Sequence, residues 1–125
     1  MQVLFDAKHL YHLECAEAQG IESGDISDNQ MSASSQWNNK EAAHYGRLHL
    51  KGTQNYAGGW VARTNDENQW LQIDLINRYI KTTRIATQGR NNYHVQYVTH
   101  YNLTYSNDGI KFQFYKERGQ KEPKV

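Results

Sequence analysis

The segment at residues 70–75, WLQIDL, constrains the fold of this chain more than any other. Apolar and polar residues alternate along it, which is the pattern of a strand with one buried face. Leu71, Ile73 and Leu75 would point to one side of a sheet, and the residues between them to the other. A second run, rich in β-branched residues, follows at 80–87 and ends near Gly89. We therefore expect two core strands here and no reaction centre.

Other parts of the chain predict shorter strands around this pair. Residues 31–33 (MSA) have the character of a brief strand inside a loop rich in Ser, Asp and Asn. Residues 98–105 alternate, and residues 110–115 (IKFQFY) return as their partner after the sequence Asn-Asp-Gly at 107–109. Because Asp-Gly tolerates positive φ angles, this sequence is a strong hairpin signal.

One ion pair is expected inside the fold. Arg47 and Asp74 both lie on otherwise apolar segments. A buried charge is stable only if it is paired and hydrogen-bonded. We therefore predict that these two side chains meet, in a role that belongs to the architecture and not to catalysis.

A paired motif and several shorter ones occur in a fixed order along the chain. The pair is QWLQIDL and IATQGR at 69–90, and the shorter motifs are CAE with IESGDISD at 15–28, ASS at 33–35, GRLH at 46–49, GW at 59–60 and YNLTYSNDG at 101–109. Each motif is weak alone, but their common order is specific. Together they resemble the discoidin domain, also called the coagulation factor V/VIII type C domain, over most of the chain.

The resemblance implies an all-β fold, an antiparallel β-sandwich of the galactose-binding-like jelly-roll kind. It places the domain at residues 15–125, after an N-terminal leader at 1–14 that has spacings compatible with a short helix or a loosely ordered segment. Family members continue for at least two more strands beyond the position of Val125, so we expect a sandwich that is incomplete at its C-terminal edge. Such an edge would leave strands unpaired and make residues 1–125 prone to aggregate or to stay partly unfolded.

The opening cysteine of the family pairs with one at the end of the domain. Cys15 is the single cysteine of this chain, so an intrachain disulfide is excluded. With no basic neighbour at hand, a reactive thiol has no support either. The partner of Cys15 in a longer protein stays open.

Composition excludes several classes of function. A length of 125 residues fits one domain, and a formal net charge of +1 gives no overall field toward nucleic acid. Residues 1–14 lack the features of a signal peptide, and no apolar run reaches the length of a membrane span. No nucleotide-binding, hydrolase or metalloprotease motif is present, so we predict a protein that is not an enzyme and holds no cofactor. His9 and His12 lack a matching ligand partner, so we predict no metal site.

Two loops carry exposed-type aromatic residues among amides, at 36–40 and at 90–97. In the family, such loops project from one end of the sandwich toward the ligand, so we expect both loops at the same end. Two interpretations of the tryptophan in the first loop remain open: an exposed anchor for a lipid headgroup region or a sugar face, or a lid folded back on the core. The candidate ligand-binding residues are Trp37, Asn38, Asn39, Lys40, Arg90, Asn91, Asn92, Tyr93 and His94.

The resemblance implies a non-enzymatic, extracellular recognition and adhesion module. Its expected partner is a cell-surface glycan, an anionic phospholipid or a protein, with peripheral membrane contact as one mode. The alternative is a lectin-like carbohydrate-binding module appended to an enzyme, and a third hypothesis is a structural fragment that binds nothing alone. Relatives that capture a basic C-terminus use a threonine and an aspartate where this chain has Val61 and Asn65, so that mode is not expected.

Overall fold

The structure, a computed structural model, describes residues 2–6, 18–76, 82–90 and 96–116. Five strands form one sheet in the order β2-β3-β1-β4-β5. The strands are β1 (Gln2–Asp6), β2 (Met31–Ala33), β3 (Trp70–Ile73), β4 (Asn102–Ser106) and β5 (Gln113–Phe114). The described residues contain no α-helix, but they include 3-10 turns at Asp28–Gln30, Asn39–Glu41 and Ala43–Tyr45.

Strand β3 supplies the centre of the core, as its alternation predicts. Leu71, Ile73 and Leu75 are all buried, and the polar residues between them are half-buried. The predicted strand at 31–33 is also confirmed, because β2 pairs antiparallel with β3. These residues pack with other buried side chains into one apolar cluster, whose remaining members are Ile26, Met31 and Ala43.

The N-terminal residues occupy the middle of the sheet. The sequence allowed a short helix or a loose leader here, but the structure has strand β1. Its backbone pairs parallel with β3 on one side and with β4 on the other. The sheet is therefore mixed: β2 and β5 pair antiparallel at its two edges, around a parallel centre.

The second β-branched run differs from its prediction where the structure describes it. Residues 82–88 form no strand, and all but Ile85 are exposed. Strand propensity reflects packing against neighbours on a half-buried surface more than an intrinsic backbone preference. Thr82 and Thr83 face solvent, so their branched side chains gain little from an extended pairing.

The predicted pairing of Arg47 with Asp74 is wrong. The Arg47 guanidinium donates to the Asp28 carboxylate at 2.8 Å and to the carbonyl of Ile21 at 2.5 Å. The Asp74 carboxylate instead accepts the backbone N–H of Ile76 at 2.7 Å. A carboxylate at a strand end has a backbone donor two residues away, and this local bond competes with a distant cation.

The hairpin between β4 and β5 is confirmed, although β5 is shorter than predicted. Gly109 has a φ of 69°, which the Asp-Gly sequence predicts. The Ser106 hydroxyl accepts the N–H groups of Asp108 and Gly109. The Asp108 carboxylate in turn accepts those of Ile110 and Lys111. Two side chains therefore satisfy the donors of the turn.

This turn is expected to respond to acid. Hydrogen bonds from the N–H groups of Lys111 and Ile110, and from the Ser106 hydroxyl, lower the pKa of Asp108 from 3.8 to about 2. Because the folded-state pKa lies below the unfolded value, the carboxylate stabilises the turn fully above about pH 4. That contribution is lost as the pH falls through about 2. A carboxyl NMR titration of Asp108 checks the low value, and an ordinary pKa near 3.8 would contradict it.

Candidate functional site

The loop that carries Trp37 is fixed by backbone hydrogen bonds at both ends. The N–H of Trp37 donates to the carbonyl of Val61 at 2.8 Å. The Asn38 side chain then accepts the N–H of Lys40 at 2.7 Å and so begins the 3-10 turn Asn39–Glu41. At the far side, the N–H of Ala57 donates to the Lys40 carbonyl. We call residues 36–41 the Trp37 loop.

The indole of Trp37 lies outside the core. Its residue is 63% exposed, so the side chain is not folded back on the core as a lid. The other two tryptophans differ. Trp60 packs against the core cluster and donates its ring N–H to the carbonyl of Ser35, as expected for a core residue, and Trp70 is half-buried in β3. An aromatic face in water on an anchored loop is a feature of binding surfaces.

The polar candidates of the Trp37 loop are exposed and partly engaged with their own surroundings. Asn39 accepts a hydrogen bond from the Gln36 amide at 3.3 Å, and the Lys40 ammonium donates to the carbonyl of Gln54 at 2.8 Å. An ammonium has three donors, so Lys40 keeps donors for a ligand. Arg63 is a second exposed cation. Its backbone N–H donates to the hydroxyl of Ser35, close to the start of the loop.

Arg90 is placed differently from the other candidates. Its side chain is only 13% exposed. It donates to the carbonyl of Ala57 at 3.0 Å and to the side-chain oxygen of Gln96 at 2.6 Å. A third nitrogen lies 3.5 Å from the carboxylate of Glu41, whose side chain is 10% exposed. The guanidinium therefore connects the Trp37 loop, through Glu41, to the segments of Ala57 and Gln96.

Sequence reasoning missed Glu41. The residue belongs to the Trp37 loop and is buried, with one carboxylate oxygen near Arg90 and the other without a hydrogen-bond partner among the described residues. The one hint in the sequence is that Glu41 is followed by two small apolar residues, Ala42 and Ala43, and the structure shows both of them buried. Alternation patterns do not reveal burial in a 3-10 turn, because its residues follow no strand period.

The remaining candidates, Asn91, Asn92, Tyr93 and His94, lie outside the described residues. The prediction that Trp37 and Tyr93 share one end of the domain therefore stays a prediction. The base of this second loop is described, because the N–H of Arg90 donates to the carbonyl of Gln96 at 2.8 Å.

A cleft of about 320 Å³ lies beside this base. None of the residues that line it in the described part of the chain carries a charge. Two of them are tyrosines, and one of these, Tyr97, is 67% exposed. The lining residues are Thr87, Gln88, Gly89, Tyr97, Val98 and Tyr101.

Among the described residues, no three His, Cys, Asp or Glu side chains lie close enough together to hold a metal ion. The same part of the chain contains no helix with the length and apolar character needed to cross a bilayer.

A sequence model of the F5/8 type C domain matches residues 30–125. The chain belongs to the F5/8 type C domain family. Domains of this family are β-sandwiches, so the predicted family and the predicted all-β class are confirmed. The match includes the Trp37 loop, β3 and the hairpin, which are the elements that position the candidate site.

Curated relatives match most of this F5/8 type C chain. Mouse lactadherin is 37% identical over 109 residues, which cover 84% of the chain and 23% of lactadherin. The human EGF-like repeat and discoidin I-like domain-containing protein 3 is 38% identical over 122 residues, covering 89% of the chain and 24% of that protein. Pig coagulation factor V is 35% identical over 116 residues, covering 89% of the chain but 5% of factor V. The chain thus spans about a quarter or less of the length of these relatives.

Proposed function

We propose that this F5/8 type C domain is a non-enzymatic recognition and adhesion module that works outside the cell. It contacts an anionic phospholipid surface peripherally through the Trp37 loop. The observation that carries the proposal is the exposure of Trp37, a residue 63% exposed on a loop anchored by backbone hydrogen bonds.

The chemistry of the loop fits the interface between lipid and water. An indole has an apolar body and one polar N–H, and tryptophan is enriched at the headgroup level of membranes. Lys40 in the loop and Arg63, whose backbone N–H is bonded to Ser35 just before the loop, are exposed cations that attract anionic lipid over about a Debye length. The anchored backbone also lowers the entropic cost of ordering the loop on binding.

Replacing Trp37 with alanine is expected to weaken binding to vesicles of phosphatidylserine and phosphatidylcholine by about 1–3 kcal/mol, the usual loss at an interface hot spot. The indole buries little surface in the folded domain, so stability should change by no more than about 0.5 kcal/mol. Vesicle sedimentation and thermal unfolding measure the two effects.

Ile110→Ala is the matched control. Ile110 is 80% exposed in the hairpin turn, so its loss removes a comparable apolar group from another part of the surface. Vesicle binding should be unchanged in this variant. If Trp37→Ala binds as the parent does, or if the parent binds anionic and neutral vesicles equally weakly, the phospholipid proposal is wrong.

The cleft favours a second candidate function, recognition of a carbohydrate. Its uncharged lining combines tyrosine rings with the hydroxyl of Thr87 and the amide of Gln88. Aromatic faces and such hydrogen-bonding groups suit the apolar face and hydroxyls of a sugar. A glycan array probed with the parent and with Tyr97→Ala separates this function from the first, because only glycan binding through the cleft depends on Tyr97.

A further inference from the structure

The side chain of Arg90 joins the Trp37 loop to two other segments. It reaches Glu41 at the end of the loop's 3-10 turn, the carbonyl of Ala57, and the side chain of Gln96. We infer that Arg90 is a positioning residue, which sets the placement of the Trp37 loop through Glu41 and does not itself bind the ligand. This inference rests on the proposed function.

Burial argues against Arg90 as a cation for a ligand. A group that recognises a phosphate must present its donors to solvent before the ligand arrives, as the exposed ammonium of Lys40 does. Arg90 is 13% exposed, and donors on its three nitrogens already face protein acceptors. The planar fork of a guanidinium suits this role, because it holds several acceptors in a fixed geometry.

Glu41 is the point through which the guanidinium acts on the loop. Its N–H donates to the Asn38 carbonyl, and its own carbonyl accepts the N–H of Val61. Because Val61 also accepts the N–H of Trp37, a shift of Glu41 is transmitted to both ends of the turn. Among the described residues, one oxygen of this buried carboxylate has no hydrogen-bond partner and Arg90 is the cation beside the other, so the placement of Glu41 depends on Arg90.

The same guanidinium fixes the start of the exposed segment after Gln96. The backbone N–H of Arg90 donates a hydrogen bond to the carbonyl of Gln96, and the Arg90 guanidinium donates a second one to the side-chain oxygen of Gln96. Tyr97 follows directly and is 67% exposed. One side chain thus links the Trp37 loop to a second exposed aromatic residue.

The first test needs no ligand. Arg90→Lys keeps the charge, but one ammonium cannot replace a fork that reaches three acceptors. In the full chain, hydrogen exchange at the amides of Ala57 and Val61 should rise about threefold to tenfold through local opening. The amide of Asp74, which donates to the Gln30 carbonyl near the core, should keep its rate. An equal rise at all three amides would mean a general structural role and would overturn the inference.

The second test uses the same phosphatidylserine vesicles. Arg90→Lys and Glu41→Gln should each weaken binding about threefold to tenfold, and the salt dependence should stay that of the parent because no ligand-facing charge is lost. Arg63→Gln, which removes an exposed cation, should instead reduce the salt dependence. In a Trp37→Ala background, Arg90→Lys should cause no further loss.

A ligand-binding Arg90 predicts different results. Arg90→Lys would then weaken binding without changing hydrogen exchange at Ala57 and Val61, and Glu41→Gln would bind more tightly because it releases the guanidinium; either result overturns the inference. If Arg90→Lys does not fold, Glu41→Gln alone decides by the direction of its effect. If the parent binds no vesicles, the proposed function fails, and the exchange experiment still decides whether Arg90 positions the loop.

Discussion

Leu75→Ala is expected to lower the free energy of unfolding by about 2–5 kcal/mol. Leu75 is 1% exposed and lies in the apolar cluster with Ile26, Met31 and Ile73. Truncation removes buried apolar atoms, so the free energy gained by transferring them out of water is lost. It also leaves a cavity that the close-packed neighbours fill only in part. Since a domain is stable by only about 5–15 kcal/mol, this is a large share of the total.

Urea unfolding measures the change through the midpoint of the transition. The Ile110→Ala protein serves again as the control, because a residue that is 80% exposed should change stability by no more than about 0.5 kcal/mol. Equal midpoints for Leu75→Ala and Ile110→Ala would show that Leu75 does not belong to a cooperative core.

Leu4→Pro is expected to cost about 1–3 kcal/mol or more, because proline has no N–H to donate and so leaves an acceptor of the sheet without its partner. Strand β1 pairs on both sides, with β3 and with β4, so it has no open edge that tolerates proline. Thermal unfolding of the variant measures the loss.

The control for this prediction is Phe114→Pro in β5, which lies at an edge of the sheet and should be affected less. If Leu4→Pro unfolds at the temperature of the parent, the sheet does not depend on residues 2–6. The N-terminal segment would then be the leader that its sequence indicated.

Local patterns predicted the elements whose causes are local. Alternation placed the buried residues of β3, and Asp108 with Gly109 placed the hairpin turn. Strand β1 was not predicted, because a parallel pairing with β3 and β4 depends on residues far along the chain. The predicted second strand is absent at 82–88 for a related reason. Strand propensity stabilises a strand only where a neighbouring surface is available for its side chains to pack against.

The candidate site shows the same division between local and distant causes. An aromatic residue among amides at 36–40 pointed to Trp37, but the sequence left its exposure open, because a tryptophan can equally well cover a core. Arg90 was expected to face a ligand, and its burial depends on acceptors supplied by Glu41, Ala57 and Gln96. Such contacts between distant segments have no signature in either segment alone.

The unequal burial of the three tryptophans gives the domain an optical reporter of its own. Trp60 and Trp70 are half-buried, whereas the Trp37 ring lies largely in solvent. A collisional quencher such as iodide therefore reaches the Trp37 ring more readily than the other two. Emission from that ring should shift to shorter wavelength when it leaves water, while the two half-buried rings report on the integrity of the fold. Docking and unfolding can thus be followed separately in one unlabelled sample.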